Sequence, residues 1–163
     1  MLKTKLFKKL MVIMCIGTCL LSSFTVASAY SDTAKAKLPN TSYYVQSNVW
    51  QSNTYFWKSH SFKVSAKLYT SSACTTTAKA STIKTSWSFT PSGIGVSCKA
   101  VSAGTTNSNG FSGSWTNTNA WISDMSGTFK ISGVPLYSSF TNTAFAMKSG
   151  VKATATADCF RFY

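Results

Sequence analysis

The chain has 163 residues and a one-sided charge: 16 lysines and arginines stand against three aspartates, no glutamate and one histidine, giving +13 at pH 7. Acid–base catalysis needs positioned titratable groups, usually in pairs, and this chain offers few of them. Metal sites need His, Cys or carboxylate ligands at short spacing, and the sequence contains no such grouping. The composition therefore predicts a protein that is not an enzyme and that uses no metal and no cofactor.

A small hydrolase is the least favoured alternative. It would have to combine His60, Asp124 and Asp158, or pair His60 with a cysteine. These residues are widely separated in the sequence, and none of them lies in a hydrolase motif.

The first 29 residues have the three parts of a secretory signal. Four lysines precede an apolar run over residues 10–21, and Ala27-Ser28-Ala29 has the small-residue pattern of a cleavage site. The apolar run falls short of the ~20 residues that a membrane-spanning helix needs, which argues against a retained anchor. We expect residues 1–29 to be removed and the remaining chain to be secreted, outside the cell or associated with its envelope.

Alternation with a period of two dominates the rest of the chain. Apolar and polar side chains alternate over residues 62–68, 83–89, 94–100, 129–131 and 151–159. This period is typical of strands that bury one face, and no apolar stripe of helical period is present. Pro91 to Gly93 predict a hairpin connection between the second and third segments.

The pattern predicts the domain organisation as well. Residues 30–41 are small, polar or charged and are expected to form a flexible N-terminal arm. Residues 42–163 are expected to form one all-β domain, an antiparallel β-sandwich or barrel of about eight strands. No second run of 18 apolar residues follows the signal, so we expect no transmembrane span in the mature chain.

Three cysteines remain after the predicted cleavage, Cys74, Cys98 and Cys159. In an oxidising compartment two of them can pair. We favour a Cys98–Cys159 disulfide because both residues lie on the apolar parity of their strands. The alternative is three reduced thiols.

The charge of the mature chain points to an anionic partner. From Tyr30 onwards eleven lysines and Arg161 stand against three aspartates, a net charge of +9. Six lysines have the outward parity of their strands, which favours a cationic patch; scattered lysines that keep sheet surfaces apart are the alternative. These residues are Lys63, Lys67, Lys84, Lys99, Lys130 and Lys152.

Four tryptophans stand among Asn, Gln, Ser and Thr residues: Trp50, Trp57, Trp115 and Trp121. They are candidates for a platform on which sugar rings stack, with core packing as the alternative role. The sequence therefore predicts a secreted, non-enzymatic cationic β-domain that binds an anionic polysaccharide, wall polymer or membrane surface. The alternative function is a bacteriocin-like or membrane-active toxin. Nucleic acid is not an expected partner, and the sequence leaves the oligomeric state open.

Overall fold

Alternating apolar and polar side chains form seven β-strands in the part of the chain that the computed structural model describes, residues 30–100 and 110–163. The strands are β1 (Tyr30–Lys37), β2 (Tyr44–Gln51), β3 (His60–Tyr69), β4 (Ala80–Ala100), β5 (Phe111–Ala120), β6 (Ile122–Lys148) and β7 (Val151–Phe162). The predicted signal peptide, residues 1–29, lies outside the described residues.

The strands form one antiparallel sheet in the order β1-β2-β3-β6-β4-β5, and β7 also pairs with β6. The prediction of an antiparallel all-β chain is confirmed. In place of about eight strands in a sandwich or barrel, the described residues form seven strands in a single continuous sheet that is not closed. The sheet is continuous because β6 pairs with β3 over residues 122–129, with β4 over 129–147 and with β7 over 137–148.

The sheet is folded so that its two ends face each other. We call β1, β2, β3 and residues 122–129 of β6 the N-terminal layer, and residues 80–92 of β4, β5, β7 and residues 137–148 of β6 the C-terminal layer. Hydrogen bonds cross between the layers: Ser47 Oγ donates to the Asn142 carbonyl over 2.7 Å, and the Asp158 amide donates to Asp32 Oδ2 over 2.9 Å. The arrangement resembles a sandwich made from one sheet.

β1 shows that the prediction of a flexible arm over residues 30–41 was wrong. All eight residues of β1 pair with β2, from Tyr30 opposite Gln51 to Lys37 opposite Tyr44. The inward positions include Ala34 and Ala36, which pack against the core with little side chain. Small alanines give a weak hydrophobic signal, and the pairing with β2 supplies the stability that composition did not indicate.

β4 is a single strand where the sequence predicted two strands joined by a hairpin at Pro91 to Gly93. The chain does not reverse there, because β6 continues as the partner: Ser92 lies opposite Tyr137, and Ile94 lies opposite Val134. The register shifts between Ser92 and Gly93 and again between Ile94 and Ser97. Proline and glycine thus mark bulges in a continuing strand, and bulges bend a strand without ending it.

The core consists of two apolar clusters with a polar layer between them. One cluster is rich in aromatic rings, including Phe62, Phe89, Phe111, Phe129 and Phe140. The other is aliphatic, with Leu38, Val45, Leu68, Ile83 and several alanines. Ser47, Thr85, Ser123 and Asn142 lie fully buried, and on β6 Asn142 falls between the inward Phe140 and Ala144.

Both the nitrogen and the oxygen of the Asn142 side-chain amide have hydrogen-bond partners inside this polar layer. Its Nδ2 donates to Ser47 Oγ at 2.9 Å and to the carbonyls of Asn48 and Ser65 at 3.1 Å each. Its Oδ1 accepts from Thr85 Oγ1 at 2.7 Å. One amide therefore joins β2 and β3 to β4 and β6, and since a buried polar group is costly without partners, this network fixes how the layers align.

Candidate binding face

Strand register arranges the outward side chains of the N-terminal layer in rows. The three rows are Lys35, Gln46, Lys67 and Ile122; Thr33, Asn48, Ser65 and Asp124; and Ser31, Trp50, Lys63 and Ser126. Lys37 extends the face beyond the first row, opposite Tyr44. We call this surface the lysine face.

A pocket of about 380 Å³ lies in the lysine face. Its lining includes Trp50, Lys63 and Lys67, three of the residues that the sequence singled out, together with Asn48, Ser65, Asp124 and Ser126. It therefore combines an indole and three further apolar residues, Val64, Ile122 and Met125, with two ammonium groups, one amide, two hydroxyls and one carboxylate. Such a mixture of apolar surface and a few polar groups is typical of ligand sites.

Lys63 and Trp50 form the cationic and aromatic side of this pocket. They are cross-strand partners, and the Lys63 ammonium lies 5.8 Å from the centroid of the indole ring. A cation over an aromatic ring is attracted to the negative face of the π system. The contact holds the ammonium close to the ring at the pocket.

Hydrogen bonds fix the polar floor between the lysines. Asn48 Nδ2 donates to Ser65 Oγ over 3.1 Å, and Asn48 Oδ1 accepts from Thr33 Oγ1 over 3.1 Å. Asp124 is the one carboxylate in the three rows, against Lys35, Lys63 and Lys67. The lysine face therefore keeps a net positive charge.

The structure does not bring the other predicted lysines into this pocket. Lys84 and Lys152 lie in the C-terminal layer, opposite Phe145 and Met147 of β6. Lys99 and Lys130 are exposed and lie directly opposite each other across β4 and β6. The six lysines thus occupy three separate places, and only Lys63 and Lys67 share the pocket with a predicted tryptophan.

The remaining predicted tryptophans are spread over the surface. Trp57 lies in the connection between β2 and β3 and stacks on Tyr55, with ring centroids 4.8 Å apart and both rings exposed. Trp115 on β5 is exposed, and its indole NH donates to Asn117 Oδ1 over 3.0 Å. Trp121 lies between β5 and β6, with its carbonyl accepting from the Leu68 amide. None of the three lines the pocket with Trp50.

Sequence reasoning missed Lys35 and Lys37, because they lay in the segment predicted as a flexible arm. The signal that could have found them is the alternation of Lys35 and Lys37 with Ala34 and Ala36, which matches a strand with a basic outer edge. It also missed Asn48, which alternates with the inward Ser47 and Val49.

The connection over residues 52–59 is held by a cluster of residues around the buried side chain of Arg161. Arg161 Nη1 donates to the Ser52 carbonyl over 3.0 Å, and Nη2 donates to the Thr54 carbonyl. The guanidinium lies over the Tyr163 ring at 4.4 Å and the Tyr30 ring at 5.3 Å. The C-terminal strand thus fixes the loop that carries Tyr55 and Trp57.

His60 completes this cluster as a neutral ring. Arg161 Nη1 approaches His60 Nδ1 at 3.2 Å, and a guanidinium can only donate, so Nδ1 must carry a lone pair. Nε2 then bears the proton and faces the Phe56 carbonyl at 3.4 Å. Burial, reinforced by the Arg161 charge, lowers the pKa of His60 from its ordinary value.

The predicted Cys98–Cys159 disulfide is not present, since Cys74, Cys98 and Cys159 are all free thiols. Cys98 lies opposite Ile131 and Cys159 opposite Phe140, at different positions along β6. Both residues do point into the aromatic cluster, as their parity indicated. Burial raises the pKa of Cys98 to about 11, and it also raises the pKa of Cys159.

No three His, Cys, Asp or Glu side chains gather into a metal-binding group within residues 30–100 and 110–163. The same residues contain no helix long and apolar enough to cross a membrane. Comparisons with protein-family models, curated proteins and solved structures found no match. The lysine face is therefore interpreted from its own geometry.

Proposed function

We propose that the protein is a secreted, non-enzymatic binding domain that takes an anionic polysaccharide or wall polymer on its lysine face. The observation that carries the proposal is the pocket in which Trp50, Lys63 and Lys67 meet, with Lys35 in the same row as Lys67. An anionic polymer carries its charges at intervals along a chain, so it needs several cations on one surface.

The spacing of these cations suits such a polymer. Lys63 and Lys67 are four residues apart on β3, about 13 Å at the rise of an extended strand. Lys35 and Lys67 are separated by one intervening strand, which places them about 10 Å apart. Both separations are short enough for one extended polymer to contact all three lysines at once, and ligand binding here needs no metal and no cofactor.

Trp50 adds contact with the body of the sugar. An aromatic ring presents a flat apolar surface, and the amide and hydroxyl groups of Asn48 and Ser65 lie beside it in the same pocket. The ammonium groups attract the polymer at long range, while the ring and the polar floor recognise the sugar at contact.

The test is binding to polygalacturonate, an acidic polysaccharide, with neutral dextran as the comparison polymer. The double substitution Lys63→Gln and Lys67→Gln should weaken binding about tenfold at low salt. Lys84→Gln with Lys152→Gln removes the same charge from the other layer and is the matched control. Trp50→Ala should also weaken binding, whereas Trp115→Ala, at an exposed indole on β5, should not.

Rising salt should reduce the binding, since exposed ion contacts are screened. Equal losses from the two lysine pairs would mean that net charge alone, and not the lysine face, attracts the polymer. Absence of binding to polygalacturonate and to isolated cell-wall preparations at low salt would contradict the proposal.

A further inference from the structure

A group of large apolar side chains lies exposed where β4 and β6 bend and where β7 ends. Phe162 is 77% exposed and Ile94 is 74% exposed. The full group, which we call the apolar corner, is Ile94, Val134, Leu136, Tyr137, Phe160 and Phe162. Exposed apolar residues grouped in this way often mark a surface that binds a protein or a membrane.

Strand register makes the apolar corner contiguous. Ile94 lies opposite Val134, and Tyr137 lies opposite Phe162 with ring centroids 6.4 Å apart. Leu136 is an extra residue in β6, since Ser92 pairs with Tyr137 and Gly93 with Pro135. This bulge turns both Leu136 and Tyr137 outward, which widens the apolar surface.

Two lysines lie on the same ribbon immediately beyond the bend. Lys99 and Lys130 are direct cross-strand partners, and both are exposed. Like charges in this arrangement repel each other, so the pair destabilises the isolated fold slightly. When an anionic partner binds, both lysines are attracted to it, and the pair then contributes favourably to the free energy of binding.

The side-chain carboxylate nearest in sequence to the apolar corner does not cancel this charge. Asp158, two residues before Phe160 on β7, accepts a hydrogen bond from Thr141 Oγ1 over 2.5 Å. Its backbone amide is bound by Asp32. Asp32 and Asp158 thus lie where β1 meets β7, whereas Lys99 and Lys130 lie on β4 and β6.

We infer that the apolar corner docks onto the surface of a bilayer containing anionic phospholipids, with Ile94 and Phe162 entering the interface and Lys99 and Lys130 meeting the headgroups. Apolar and aromatic side chains beside basic residues are the combination that interfacial membrane binding uses. Tyr137 supports this, because a ring with one polar end suits the boundary between headgroups and acyl chains.

Charge argues for a membrane over a second copy of the chain as the occupant. Two copies joined at the apolar corner would bring two Lys99–Lys130 pairs together, and each copy carries a strong positive charge from residue 30 onwards. Self-association on this surface is therefore opposed by repulsion, whereas an anionic bilayer attracts both the lysines and the chain as a whole.

The test is co-sedimentation of the mature chain, residues 30–163, with vesicles of phosphatidylglycerol and phosphatidylcholine in equal parts, compared with vesicles of phosphatidylcholine alone. The double substitution Ile94→Ser and Phe162→Ser should lower the partition coefficient on the mixed vesicles by about tenfold or more. Tyr55→Ser with Trp57→Ser, which also removes two exposed apolar side chains, is the matched control and should leave binding unchanged.

The lysine pair gives a second variant. Lys99→Gln with Lys130→Gln should weaken binding to the mixed vesicles by about tenfold, and more than Lys84→Gln with Lys152→Gln does. The thermal unfolding midpoint of each variant should stay at that of the unchanged chain or rise slightly where the Lys99–Lys130 repulsion is removed, which shows that each variant is folded. Polygalacturonate binding should survive Ile94→Ser and Phe162→Ser, which separates this inference from the proposed function.

Three results would overturn the inference. The unchanged chain could fail to bind the mixed vesicles, or the Ile94 and Phe162 variant could bind them as well as the unchanged chain. The third is a dimer in sedimentation equilibrium that the same substitutions dissociate, because a second copy would then cover the apolar corner.

Discussion

Phe129 and Phe140 are eleven residues apart on β6, yet their ring centroids are only 6.4 Å apart. Eleven residues of straight strand would span about 36 Å. Phe89 on β4 contacts both rings, at 4.4 and 5.6 Å. The paired strands β4 and β6 must therefore bend sharply between these residues, and this bend folds one sheet into two facing layers and projects the apolar corner.

Gly133 allows the bend, because its φ of 87° favours glycine and a Cβ there would lie 2.3 Å from the Gly95 carbonyl oxygen. Gly133→Ala should lower the free energy of unfolding by more than about 3 kcal/mol, from backbone strain plus the clash. Gly150→Ala is the control, since its φ is 79° but nothing lies within 4 Å of the added Cβ. Urea denaturation should show a loss of only about 1 kcal/mol at Gly150.

Asn142 should be the most sensitive polar position in the core. Asn142→Ala leaves the Thr85 hydroxyl without its side-chain acceptor and Ser47 Oγ without its donor in a fully buried layer, so the free energy of unfolding should fall by about 2–4 kcal/mol. Thr143→Ala, the adjacent half-buried residue, removes one exposed hydroxyl contact with Thr156 and should cost below about 1 kcal/mol. Equal losses in urea denaturation would contradict the role assigned to the polar layer.

Stability should fall as the pH drops below the ordinary histidine range. His60 has a lowered pKa in the folded chain, so the unfolded chain binds a proton first as the pH falls below about 6.5. The free energy of unfolding should then decrease by at most about 1.4 kcal/mol per pH unit until the folded-state pKa is reached. Above that range this residue contributes no pH dependence.

His60→Gln provides the comparison for this pH effect. A glutamine can accept from Arg161 and donate to the Phe56 carbonyl, but it does not titrate. The urea midpoint of this variant should stay constant over the range in which the unchanged chain loses stability. A parallel decline in both proteins would show that His60 is not the group responsible.

The cysteines should differ in reactivity. Cys98 and Cys159 are buried with raised pKa values, while Cys74 is half-buried. Since the thiolate is the reactive form, iodoacetamide at pH 8 should label Cys74 first in the native chain. Peptide mass analysis should find Cys98 and Cys159 labelled only after unfolding, and it should find no peptide that joins them.

The sequence was sufficient to predict on which side of the sheet a residue lies, because local alternation of apolar and polar residues decides this. The structure confirms the predicted parity of β3. Its inward residues are Phe62, Val64, Ala66 and Leu68, and its outward residues include Lys63 and Lys67. The inward positions of Cys98 and Cys159 were predicted in the same way. A strand exposes alternate side chains to opposite faces whatever its partner is, so the sequence alone settles which way each residue points.

Which residues meet on a face was decided only by the tertiary structure. Trp50 and Lys63 form one pocket because β2 and β3 pair in one register, whereas Lys84 was carried to the opposite layer by the bend at Gly133. Register and bending depend on contacts between residues far apart in the chain, such as Asn142 with Ser47. The period of two in the sequence therefore determined the strands and their inner sides, and only long-range packing chose the neighbours that form the lysine face and the apolar corner.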